Sequence, residues 1–105
     1  MIFIETPVFT EEIQRFLSDE EYQELQTALL LRPEAGDIIP GSHGLRKMRW
    51  KVKGQGKRGG LRIIYYWDVP HATIYMLLPY RKSEQEDLSP QYVKFLTQLV
   101  QEYLQ

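Results

Sequence analysis

Lys47, Arg49 and Lys51 recur at every second position within the run from Leu45 to Val52. In an extended strand, residues two apart share a face and stand ~7 Å from each other. Three cations then line one face, and Met48, Trp50 and Val52 form the apolar face opposite. Arg62 opens the next apolar run and can stand beside them across a hairpin. Lys57 and Arg58 lie in the glycine-rich connection between the two runs, Lys53 leads into it, and Arg46 precedes the series. Eight of the 13 Lys and Arg residues thus fall between positions 46 and 62, and no Asp or Glu occurs between Asp37 and Asp68. Like charges this dense repel unless an anionic ligand or salt neutralises them, so the set is suited to holding a polyanion such as RNA. The net charge of −1 conceals it, because Glu11, Glu12, Asp19, Glu20, Glu21 and Glu24 offset it from elsewhere in the chain.

Other residues can join this set. Arg81 and Lys82 follow an apolar run, next to Tyr80. If the strands are neighbours in sequence order, these cations approach Arg62, and Tyr80 can stack on a base. His43, in a loop between Gly41 and Gly44, is a candidate proton carrier for phosphoryl chemistry, although loop histidines are mostly just solvated. His71, in a Pro-His turn, has no expected role. The chain has no cysteine, no histidine pair at ligand spacing and no carboxylate cluster in the basic segment, so neither metal nor cofactor is expected. The stretch GQGKRGG, residues 54–60, is not a nucleotide-binding P-loop, because it lacks the spacing and leads into a strand.

These residues need elements to position them. Residues 1–9 read as an opening strand. Thr10 can cap a short helix that buries Ile13 and Phe16. Ser18 and Glu21 have capping-box spacing for a second helix, with Tyr22, Leu25, Ala28 and Leu29 on its apolar side. Arg32-Pro33 ends it, and residues 34–44 read as a loop. Strands are expected from Leu45 to Val52, Leu61 to Trp67 and Thr73 to Leu78. The four glycines of residues 54–60 turn the first of these into the second. Ser89 and Pro90 start a last helix, whose stripe from Tyr92 to Tyr103 is expected to pack on the chain's own sheet. The order is β-α-α-β-β-β-α, an α+β fold with an antiparallel sheet and its N-terminal and C-terminal helices on one face. With 105 residues, the chain is expected to form one domain, residues 1–105. No apolar run is long enough to cross a bilayer, and the start lacks the features of a signal peptide. A cytoplasmic protein is expected.

The run GLRKMRWKVKGQGKRGGLRIIYYW, the strand IYMLLPYRKSEQEDLS and the terminal helix resemble the RelE/ParE toxin superfamily, in its HigB-like branch. Residues Gly44 to Lys47, Gly56 to Gly60, Arg62 to Tyr66 and Tyr80 to Glu84 carry the resemblance. It implies a type II toxin–antitoxin toxin that cleaves mRNA on the ribosome, through attack of a ribose 2′-OH on the adjacent phosphate, without a metal. By the same resemblance, Arg62 is the phosphate clamp, Lys51 or Lys53 the cation that moves a proton or holds the scissile phosphate, and Arg81 or Lys82 the cation after the last strand. Arg46, Lys47, Arg49, Lys57, Arg58 and Tyr80 are the implied RNA-binding residues. RelE relatives carry a tyrosine after the last strand; Glu86-Asp87-Leu88 holds no aromatic there, and Tyr80 is the stand-in. The implied partners are a helix-turn-helix antitoxin, the ribosome and mRNA. A ParE-like gyrase inhibitor and a non-catalytic RNA-binding module are the competing expectations.

Overall fold

Pro7 decides where the first helix begins. Its fixed φ and missing N–H suit the first helical position. Thr6 before it is extended, and its hydroxyl accepts a hydrogen bond from the Phe9 N–H. The computed structural model, which describes residues 1–52, 60–84 and 88–105, therefore shows a strand β1 of only Ile2–Glu5, followed by helix α1, Pro7–Phe16. The expected strand over residues 1–9 is cut short by this cap, and Thr10 lies inside the helix. Helix α2, Asp19–Leu31, starts on the Ser18–Glu21 capping box in both directions and stops at Arg32 before Pro33. Strand β2 is Asp37–Ile38, β3 Leu45–Trp50, β4 Leu61–Asp68 and β5 Thr73–Arg81, and helix α3 is Pro90–Tyr103, capped by Ser89.

The sheet runs β1-β5-β4-β3-β2. Its three central strands form antiparallel neighbours, as the hairpin reading requires. Two features differ from the sequence reading. β1 pairs with β5 in parallel, and β2, within the segment read as loop, pairs antiparallel with β3 through Asp37–Lys47 and Ile38–Arg46.

Helices cover both faces, not one. On the first face, Phe9, Ile13, Leu25 and Leu29 of α1 and α2 pack on Ile63, Tyr65, Ile74 and Met76. On the other, Leu96 and Val100 of α3 pack on Leu45, Ile64, Tyr75 and Leu78. The reason is that β4 and β5 are apolar at successive positions, so each strand must be buried on both sides. The α3 stripe does pack on the chain's own sheet, with Tyr103 stacked on Tyr75 at 5.4 Å. Among the described residues, no helix is long and apolar enough to cross a membrane.

One irregularity sets the phase of β5. Ile64 is opposite Leu78 and Tyr65 is opposite Met76, so Leu77 is an extra residue, a β-bulge. Its carbonyl, displaced from the ladder, accepts a hydrogen bond from the Thr6 hydroxyl at 2.8 Å. On the far side of β4, the fully buried Tyr65 hydroxyl donates to the Pro33 carbonyl at 2.6 Å and accepts from the Gly36 N–H at 2.8 Å. This ties the chain after α2 to the sheet. Burial pushes the Tyr65 pKa up, so the group stays a protonated donor.

Candidate anion-binding site

Strand alternation divides the cations between the two faces. On β3, Met48, Trp50 and the residue just past the strand, Val52, pack into the α1–α2 core. Lys47 and Arg49 therefore share the α3 side with Leu45. On β4, Arg62 lies between Leu61 and Ile63, both of the α1–α2 core, and so also points to the α3 side.

The register aligns these residues in rows. Arg49 is directly opposite Arg62, which is directly opposite Tyr80. The next row is Lys47, Ile64 and Leu78. Directly opposed residues start ~5 Å apart at Cβ, and like charges there destabilise the sheet. Among the described residues, no carboxylate lies within ion-pair distance of Arg49 or Arg62. Arg49 and Lys51 are exposed, while Lys47 and Arg62 are half-buried. Two planar guanidinium forks facing solvent together can take the oxygens of one phosphate and stabilise charge that builds on it.

The remaining expected residues are not all in this place. Arg46 points to the α2 side, where its guanidinium donates to the carbonyls of Glu34 at 3.2 Å and Gly36 at 2.8 Å. Tyr80 belongs to the row, but the residue is only 4% exposed and packs in the α3-side core, so it is not presented as a platform for a base. Arg81 is on the opposite face from Arg62. Its guanidinium stacks over the Phe16 ring at 5.3 Å and lies 3.9 Å from Glu84. The bulge explains this: counted in strict alternation from Met76, position 81 falls on the cation face, and the extra Leu77 reverses that phase. Lys82 is exposed in the turn after β5. Lys53, Lys57 and Arg58 lie outside the described residues.

His43 sits beyond the Leu45 row, which is itself two rows from Arg49, and is exposed with φ of 59°. His71 pairs through Nδ1 with Asp68 Oδ2 at 2.7 Å. Among the described residues, no group of three or more His, Cys, Asp or Glu could hold a metal. The sequence reading had no place for Arg15, whose guanidinium lies 5.0 Å from the same Phe16 ring and 3.5 Å from Glu84. Its nearness to Arg81 depends on α1 crossing the end of β5, a contact between residues far apart in sequence that no local pattern encodes.

No family model matches the chain. Among solved structures, it is similar to the E. coli toxin RelE in its free state, in a form with two arginines replaced by alanine. The two share 14% sequence identity, over 81% of this chain and 86% of that one, with a TM-score of 0.56. The chain has a RelE-like fold. At this identity the likeness rests on the arrangement of sheet and helices, which is the arrangement that sets Arg49 opposite Arg62.

Proposed function

We propose that this chain is the toxin of a type II toxin–antitoxin pair, of the HigB-like branch, and a metal-independent endoribonuclease acting on mRNA in the ribosomal A site. The observation that carries the reading is the opposed Arg49–Arg62 pair, flanked by Lys47, on a RelE-like sheet. In the reaction, the ribose 2′-OH loses its proton and its oxygen attacks the adjacent phosphorus. The bond from phosphorus to the 5′-oxygen breaks, the departing oxygen takes up a proton, and a 2′,3′-cyclic phosphate remains. Arg62 clamps the phosphate, and its fork stabilises the charge added at the phosphorane. Arg49 shares that load from the opposite strand. Lys51 or Lys53 supplies the cation that moves a proton, and Lys47 and Lys82 hold flanking phosphates. Arg81 acts from the other face, by fixing the end of β5 against Phe16. The partners are a helix-turn-helix antitoxin, the ribosome and translated mRNA, in the cytoplasm.

Expression of the chain should arrest growth, and primer extension on a translated message should reveal new 5′ ends. Arg62→Ala should lower cleavage by about 10²–10³-fold, the usual loss on removing one donor to a developing oxyanion. A fully toxic Arg62→Ala protein would overturn the site. Growth arrest with DNA damage and intact messages would replace the reading with gyrase inhibition.

A further inference from the structure

The α3 side carries a second feature beside the cation rows. A cleft of about 670 Å³ runs between α3 and the loop joining β2 to β3. This volume is in the usual range of small-ligand sites. Ile39, Pro40 and Val93 supply apolar walls. His43, Lys94, Gln98 and Gln101 bring polar groups to it, and among the described residues no carboxylate lines it.

The loop wall is held in place. The Thr97 hydroxyl donates to the Ser42 carbonyl at 3.0 Å, tying the loop to α3. The Ser42 hydroxyl donates to the Ile39 carbonyl at 2.5 Å and accepts from the Leu45 N–H at 3.0 Å. Gly41 and Gly44, with φ of 73° and 109°, allow the bend that presents His43. The cleft is thus formed in the free protein.

It also lies on the same side of the sheet as the cation rows. The stacking of Tyr103 on Tyr75 sets the end of α3 over the Leu45–Tyr66–Tyr75 row. Val93, Tyr92 and Leu88, at and before the start of the helix, pack on the same α3-side cluster. The cleft is lined along this helix from Pro90 to Gln101 and by Leu88 before it, on the side of the sheet that also carries Lys47 and Arg49.

We infer that the cleft receives a nucleobase of the RNA strand whose phosphates the cation rows hold. The inference rests on the function proposed above and adds where sequence is read. Single-stranded RNA is recognised by bases turned out of the stack, laid against planar side chains and met on their edges by donors and acceptors. The His43 ring is such a side chain, and Pro40 and Val93 add apolar contact. Gln98 and Gln101 carry both a donor and an acceptor, and Lys94 adds a positive charge.

The test measures binding of a fluorescein-labelled hexaribonucleotide to the purified protein, alongside the same oligonucleotide with an abasic ribose at each position in turn. Removing the base at one or two positions should weaken binding by about tenfold, the scale of one good base contact. The double variant Lys94→Ala/Gln98→Ala, both exposed positions, should erase that difference. Arg62→Ala should weaken all the oligonucleotides alike and keep the difference. Equal binding across the abasic series, or a difference that survives the double variant, would overturn the inference and leave the cleft to a protein segment. A base-dependent difference in a protein that cuts no translated message would uphold the cleft while refuting the endonuclease.

Discussion

Replacing Arg62 with methionine should make the free protein more stable while removing its function. Methionine keeps most of the arginine stem, so the packing changes little and the charge is what disappears. Opposed strand residues start ~5 Å apart at Cβ. Guanidinium groups splayed to ~7 Å repel by about 0.6 kcal/mol in bulk water and about 2.4 kcal/mol at an effective dielectric constant of 20. Arg49 is exposed and Arg62 half-buried, which favours the lower part of that range. A gain of about 1 kcal/mol corresponds to a rise in Tm of ~4–8 °C for a domain of this size. Salt tests the cause, because at ~1 M the Debye length of about 3 Å is shorter than the separation and the gain should nearly vanish. Thermal melts of both proteins at low and high salt, followed by circular dichroism, decide it. A Tm that falls by several degrees, or a rise indifferent to salt, would mean that Arg62 holds the fold together and is not a cation kept for a ligand.

Three further substitutions probe the scaffold around the site. Tyr65→Phe removes two hydrogen bonds and leaves the Gly36 N–H without its acceptor, so urea denaturation should show a loss of about 2–4 kcal/mol. An unchanged midpoint would show that the hydroxyl is dispensable. Gly36→Ala would bring a Cβ to 2.9 Å from the Tyr65 ring and 3.1 Å from the Lys47 carbonyl, and should cost about 1–3 kcal/mol in the same assay. Wild-type stability would refute that close approach. Ser18→Ala removes the capping box and should cost about 1 kcal/mol. Amide exchange should then rise in the first turn of α2, and unaltered protection there would count against the cap.

What could be read from the sequence was mostly local. The Ser18–Glu21 box, the stop at Arg32-Pro33 and the start at Ser89-Pro90 depend on neighbouring residues and appear as expected. The alternation of Lys47 and Arg49 against Met48 and Trp50 is equally local, and it placed the cations on one face. The misplaced features depend on pairings that no local pattern carries. β2 is too short to have a period of its own, and β1 finds its partner at the far end of the chain. The displacement of Arg81 from the Arg62 side has the smallest cause, a single extra residue at Leu77 within an unbroken apolar run. In such a run the two faces cannot be distinguished by residue type, so the change of phase leaves no trace in the sequence.

The parallel pairing of β1 with β5 also governs when the protein can become itself. Thr6 bonds Leu77, 71 positions further along the chain, and β1 lies against Thr73–Met76 along its whole length. β1 must therefore wait, unpaired, until the last strand has been made. Contacts of such long span are slow to close. Until β5 has been made, the row of Arg62 and Tyr80 is incomplete, so whatever the assembled face can bind is denied to a shorter nascent polypeptide. Maturation is timed by topology, and the clock is the arrival of β5.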